Sequence, residues 1–300
     1  MKPSETKQGA LKYELLLLAV SLLWGTTFAA QQIGMENGLG PMTFNALRFS
    51  LGALCLVPVL FWIKPKKAPQ NEHSFPWMGS VLCGLFLFGA AGFQQVGLLY
   101  TSCANGGFIT GFYILFVPVI GFFIGQKAPR ALWVGVAVCL VGLYFLSVTD
   151  SFTIGKGDAM MLICAALWAG QIQLVDRVTH HAEPIAIACV QFTACALLST
   201  LASFIFESPN TEQIHGSWGA IVYAGVFSVA IAFTLQVVCQ KRCPPAPAAV
   251  IMSFEAVFAA LTGYILLEQH LSPRAIFGCA LCFAGLLIVQ LWPPKKASRS

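Results

Sequence analysis

The sequence predicts an all-α integral membrane protein with ten transmembrane helices, arranged as two inverted five-helix repeats with both termini in the cytoplasm. Three observations predict it. The chain is 57% hydrophobic and 10% charged, with a mean hydropathy of +0.76, whereas soluble domains carry about 25% charged residues. Its apolar residues fall into runs of about 20, the length that crosses roughly 30 Å of hydrocarbon. Its basic residues crowd onto one side of those runs. Barrel strands would alternate apolar and polar residues, but these runs are continuous, so helices satisfy the backbone here.

The runs are Tyr13–Ile33, Met42–Ile63, Phe75–Leu98, Asn105–Gly125, Arg130–Val148, Gly157–Val175, Pro184–Phe206, Gly216–Val238, Ala246–Leu267 and Pro273–Trp292. Lys2, Lys7 and Lys12 precede the first, as in a signal peptide. That run is too long for a typical signal core, so it reads as a retained helix. With the N-terminus inside, the inner side holds Lys2, Lys7, Lys12, Lys64, Lys66, Lys67, Lys127, Arg130, Arg177, Lys241, Arg242, Lys295, Lys296 and Arg299. The outer side holds only Lys156 and Arg274, and Arg48 lies within the second run. This bias places both termini in the cytoplasm of a multi-pass plasma-membrane protein, the inner membrane in a bacterium. The net charge of +5 is therefore a topology signal, and the implied partners are the bilayer and a small molecule, not nucleic acid. Monomer and homodimer remain open.

The chain repeats itself. Leu23-Trp24-Gly25 matches Leu167-Trp168-Ala169, and Pro129-Arg130-Ala131 recurs as Pro273-Arg274-Ala275, each 144 positions later. Arg48-Phe49 matches Gln191-Phe192 at 143, as Gly135 and Gly142 match Gly278 and Gly285. Phe112, Phe116 and Gly121 match Phe254, Phe258 and Gly263 at 142. The division falls at 1–148 and 149–300. Five helices is an odd number, so the second unit enters the membrane inverted. Inverted repeats are a hallmark of secondary transporters, whose sites lie near the midplane between the repeats.

These pieces resemble the EamA family of the drug/metabolite transporter superfamily. The matching residues are Leu23-Trp24-Gly25, Arg48-Phe49, Gly157-Asp158 with Ala165 to Ala169, and Phe254-Glu255-Ala256-Val257 with Gly263 and Glu268. Leu271-Ser272-Pro273 leading into Gly278 and Gly285 completes the set. The resemblance implies a secondary active transporter, often an exporter of amino acids, metabolites or drugs, driven by protons or by exchange. It also implies a pathway walled by helices one, three, four, six, eight and nine. Pro118 stands where that family often has a proline, but its counterpart in the ninth helix is Ala260.

Candidate site residues follow from polarity at depth. Glu255 lies near the middle of the ninth run, where a charge costs about 2.5–3.5 kcal/mol. It reads as a proton-coupling or substrate-binding carboxyl, or as a hydrogen-bonded link between helices. Its counterpart is Tyr113. Arg48 could bind a carboxylate through two hydrogen bonds, or snorkel and pin carbonyls. Trp24 and Trp168 could stack on planar or cationic substrates, or serve packing at a shared position. Gln31, Gln32, Asn45, Gln94, Gln95, Asn105, Gln171, Gln173, Gln191 and Gln236 also fall in the runs. Of these Gln94, Gln95 and Gln171 are the expected cavity liners, with interhelix hydrogen bonding as the alternative. Pro118 and Pro244, Pro245 and Pro247 are expected to interrupt the fourth and ninth helices, the last two also reading as helix-start prolines.

No enzyme is expected, and no cofactor or metal. Gly155-Lys156-Gly157-Asp158 has the GxGD form of membrane aspartyl proteases, but that chemistry needs a second membrane aspartate. Asp158 reads instead as an acid at a helix start. His180-His181 reads as a solvated loop, and the Cys279-x-x-Cys282 pair as small apolar side chains. The functional expectation is an exporter of small metabolites such as amino acids. The alternatives are a multidrug exporter of cations and a non-transporting membrane receptor or assembly factor.

Overall fold

The computed structural model describes residues 3–62, 76–147, 155–268 and 272–292. Lys2, Lys64, Lys66, Lys67, Leu271, Lys295, Lys296 and Arg299, which carry part of the charge and motif argument, lie outside the described residues, as do the run ends Ile63, Phe75 and Val148.

Every regular element among the described residues is helical. In chain order they are α1 (Pro3–Glu36), α2 (Pro41–Trp62), α3 (Trp77–Gly97), α4 (Cys103–Thr110), α5 (Tyr113–Phe123), α6 (Arg130–Ser147), α7 (Lys156–Thr179) and α8 (Pro184–Phe206). There follow a short α9 (Thr211–Gly216), α10 (Trp218–Tyr223), a π-helical stretch (Ala224–Phe233), α11 (Thr234–Gln240), α12 (Pro245–Met252), α13 (Glu255–Leu266) and α14 (Pro273–Leu291). Among the described residues, eight helical stretches are long and apolar enough to cross a membrane, counting Cys103–Phe123, Trp218–Gln240 and Pro245–Leu266 as one each. Arg130–Phe145 and Ile276–Val289 are shorter apolar helices. Large apolar side chains such as Phe61, Trp62, Phe123, Leu197, Phe204 and Phe206 point outward, as an acyl-chain solvent requires.

Lipid gives helices no hydrophobic reason to associate, so contact depends on close approach and polar links. Both occur. α1 crosses α13 at Gly25, where a Cβ would lie 2.3 Å from Phe258 Cβ and 2.8 Å from the Glu255 carbonyl oxygen. α6 and α14 pair through Gly142, which faces the Gly278 carbonyl and Cys282, and Gly285, which faces the Gly135 carbonyl and Cys139. α2 lies along α8 and the π stretch, and α3 lies against α7 and α8. Glu207, at the end of α8, accepts from Met42 N at 2.7 Å, Thr43 N at 2.8 Å and the Thr43 hydroxyl at 2.6 Å. It thus caps the free N–H groups at the start of α2 from 165 residues away.

The fourth and ninth runs are broken, but not at their prolines. The break in the fourth is at Gly111-Phe112, where Phe112 N bonds to Ile109 O and Ile114 N to Gly111 O, both at 3.1 Å. The ninth breaks at Ser253-Phe254, where Phe254 N bonds to Ile251 O at 3.2 Å and Ala256 N to Ser253 O at 3.1 Å. These i→i−3 bonds tighten the helix for two residues. Pro118 lies within α5, and Pro245 and Pro247 lie in the first turn of α12, where a missing N–H costs nothing. Asp158 caps α7 through Gly155 N at 3.0 Å, a helix-start role for the GxGD sequence.

Candidate functional site

Tyr113 and Glu255 are the first residues after the two tightened steps, and both turn into one internal cavity. The walls come from α1 (Trp24, Thr27, Phe28, Gln31), α2 (Arg48), α3 (Gln94), α5 (Tyr113) and α7 (Trp168, Ile172). The π stretch (Ser228, Phe233), α11 (Gln236) and α13 (Glu255) complete them. Its free volume is about 20 Å³, room for one or two waters. Seven of the ten runs thus reach it, including the second through Arg48.

One wall is aromatic. Trp168 and Phe233 stack at 5.3 Å with 17° between planes, and Trp24 lies 4.6 Å from Phe233 and 6.1 Å from Trp168, centroid to centroid. The rest is polar and incompletely bonded. Trp24 Nε1, Gln31 Oε1, Arg48 Nε, Tyr113 Oη, Gln236 Oε1 and Glu255 Oε1 are all buried without a hydrogen-bond partner. Most buried polar atoms in folded proteins are paired, and these six share one cavity, where water or the polar groups of a ligand can reach them. Tyr113 and Glu255 are electrostatic neighbours, yet neither Oη nor Oε1 completes a bond. Arg48 is 2% exposed and lies over the rings of Phe49 and Phe44, at 5.0 and 5.7 Å. It does not snorkel.

The structure therefore brings Glu255, Tyr113, Trp24, Trp168, Gln94 and Arg48 together, and leaves Gln95 and Gln171 out of the lining. Gln95 turns to α1, where its amide donates to the Gln31 carbonyl at 3.4 Å. Gln171 sits behind the wall in an amide chain. Gln236 donates to it at 3.1 Å, and it donates to Gln191 at 3.1 Å. Asn45 also links helices, through the Ala91 carbonyl at 3.0 Å.

Seven liners were not singled out from the sequence as cavity residues: Thr27, Phe28, Gln31, Ile172, Ser228, Phe233 and Gln236. Three of them, Thr27, Phe28 and Gln31, were findable, because with Trp24 they follow the i, i+3, i+4, i+7 stripe of one helix face. Ser228 and Phe233 are five apart. They share a face only because the π stretch widens the turn, which a 3.6-residue period does not reveal.

About one helical turn from the cavity lining, amides link α5, α7 and α11. Gln126 and Gln173 exchange bonds of 2.9 and 3.2 Å, Gln173 donates to the Val117 carbonyl at 2.7 Å, and Gln240 donates to the Ile172 carbonyl at 3.0 Å. Gly125, at φ +82°, folds the chain so that Gln126 reaches back, its N–H bonded to Gly121 O at 2.8 Å. Beyond this layer opens a vestibule of about 570 Å³ with Lys127, Asp176, His180, Lys241 and Arg242 on its walls.

Comparison with known proteins gives a consistent result. The model of the EamA-like transporter family matches residues 11–148 and again 155–291. An uncharacterized transporter of Archaeoglobus fulgidus is 31% identical, over 93% of this chain and 85% of its own. The uncharacterized transporter YoaV of Bacillus subtilis is 24% identical over 93% and 96%. The uncharacterized inner membrane transporter YedA of Escherichia coli is 22% identical over 92% and 89%. A solved crystal structure superposes over 94% of this chain and 97% of its own, with TM-score 0.77 and 21% identity, a likeness of fold.

Proposed function

Because the chain belongs to the EamA-like transporter family, we propose that it is a secondary active exporter of small metabolites such as amino acids, driven by proton exchange or by exchange of substrate. The observation that carries this reading is the convergence of six orphaned polar atoms on one buried cavity walled from both halves of the chain. An assembly scaffold that binds no small molecule has no need of such a cavity, and each unpaired buried group costs stability.

In this reading α6 and α14 also cross the bilayer, giving ten crossings in two inverted repeats, 1–148 and 149–300. The matching tight steps before Tyr113 and Glu255 support the repeat, as do the two matched stretches of the family model. Both termini and the basic vestibule face the cytoplasm of a bacterial inner membrane, by the distribution of lysine and arginine. The Gln126–Gln173 layer is then the inner gate, and the two halves rock about the cavity to alternate access. Glu255 exchanges a proton or contacts substrate, and Tyr113, Trp24, Trp168, Gln94 and Arg48 line the path. Gln95 and Gln171 hold the walls.

The aromatic wall beside Glu255 favours one second reading, export of cationic drugs. Reconstituted protein decides between them by counterflow. Proteoliposomes loaded with unlabelled amino acids should accumulate the labelled ones, and those loaded with a cationic dye should not. Accumulation of the dye alone selects the second reading, and accumulation of neither contradicts both.

A further inference from the structure

An acid and a base line the cavity, and neither has an oppositely charged partner among the described residues. Arg48 and Glu255 are 2% and 4% exposed, and among the described residues neither forms an ion pair. Each keeps one orphaned atom, Arg48 Nε and Glu255 Oε1, and both residues line the same cavity. A lone buried charge costs several kcal/mol, and a buried pair needs good geometry to repay that. The fold could have relieved both by letting them meet, yet it holds them apart on α2 and α13. Arg48 is held in place by the Phe44 and Phe49 rings, which occupy its faces without neutralising it. Glu255 is held by the close crossing of α13 on α1 at Gly25.

We infer that the cavity takes a dipolar ligand, whose anionic group pairs with Arg48 and whose ammonium pairs with Glu255. The inference rests on the transport reading above, and adds to it which side chain recognises which charge. It makes Arg48 the residue that rejects purely cationic cargo. A cation would satisfy Glu255 and the aromatic wall but leave Arg48 buried and unpaired, a penalty that creates specificity. The guanidinium fork suits a carboxylate, which it can bind through two parallel hydrogen bonds. The remaining wall, Trp24, Trp168 and Phe233, faces the apolar part of such a ligand. The free volume of about 20 Å³ is too small for any amino acid, so entry requires the amide layer to part.

The test measures thermal stabilisation of the purified full-length protein by two ligand series. One is phenylalanine, phenylalanine methyl ester and 3-phenylpropionate. The other is leucine, leucine methyl ester and 4-methylpentanoate. The parent should bind each intact amino acid at least about tenfold more tightly than either analogue, the usual scale for losing one partner of a buried charge pair. In Arg48→Gln the amino acid and its ester should become equal, with the preference over the deaminated acid retained. Glu255→Gln should do the reverse, and Arg48→Lys should keep part of the preference for a free carboxylate. These ratios are read within each variant, so a loss of folded protein does not mimic them. Equal binding of acid and ester by the parent, no binding of either amino acid, or an unchanged ratio in Arg48→Gln would overturn the inference. If the ratios hold but proteoliposomes carry no amino-acid flux, the transport reading fails and the two-pole site stands. If flux occurs and ester and acid are carried alike, the two-pole site fails alone.

Discussion

At the scale of single residues, the asymmetry between Tyr113 and Glu255 is the centre of the account. They lie 142 positions apart in matching sequence, and each follows the same tight step, but only one is a carboxyl group. Tyr113 Oη is buried without a partner, so Tyr113→Phe removes an unsatisfied group from the free protein. Its melting temperature should therefore hold or rise, while KM should increase about three- to tenfold if the hydroxyl bonds to substrate. Thermal unfolding and flux kinetics on the same preparation check both. Glu255 and Arg48 were legible in the sequence because a charge in an apolar run stands out. The glutamines were not separable. Gln31 and Gln236 face the cavity while Gln95 and Gln171 do not, and all four are the same side chain in equally apolar surroundings. Which way an amide turns depends on what lies opposite, and the partners Gln191, Gln236 and the Gln31 carbonyl come from distant parts of the chain.

At the scale of elements, the apolar runs located the helices to within a few residues, except that α1 begins ten residues before its run, since the bilayer dictates the length of the apolar span and not of the whole helix. What the runs concealed is internal. The breaks in the fourth and ninth runs use Gly111-Phe112 and Ser253-Phe254, which carry no strong local signal, while Pro245 and Pro247 sit in a first turn, where helices tolerate them, and Pro118 lies inside α5 without ending it. The π stretch was equally hidden. Two predictions belong here. Glu207→Ala removes the cap on α2 and should cost about 1 kcal/mol of stability, within the range for lost N-terminal caps, read by thermal denaturation, with counterflow retained. Gln173→Ala removes the partner of Gln126 and the bond to the Val117 carbonyl. Backbone hydrogen exchange should then rise over 117–126 and stay unchanged in α6 and α14. Equal exchange in the parent and the variant would deny that this layer is a gate.

At the scale of the whole molecule, the two ends of the bundle differ. One is fastened by Glu207 on α2, by Ser217 donating to the Gly34 carbonyl at 2.7 Å, and by Asn37 donating to the Gly216 carbonyl at 3.0 Å. The other holds the vestibule of about 570 Å³ behind two glutamine bonds. The proposed topology makes the fastened end external. A reporter enzyme active only outside the cytoplasm should be silent when fused to the C-terminus and active when inserted between Gly155 and Lys156, ahead of α7. Charge counting along the sequence suggested that orientation. It could not indicate which end is closed, because closure depends on pairs such as Gln126 with Gln173, 47 residues apart. We propose that Glu255 acts in transport, by exchanging a proton or by contacting substrate, and amino-acid flux in proteoliposomes with and without an imposed pH difference is the decisive measurement. The parent should respond to the gradient, and Glu255→Gln, equally folded, should lose that response; identical flux in both proteins at every pH would contradict the account.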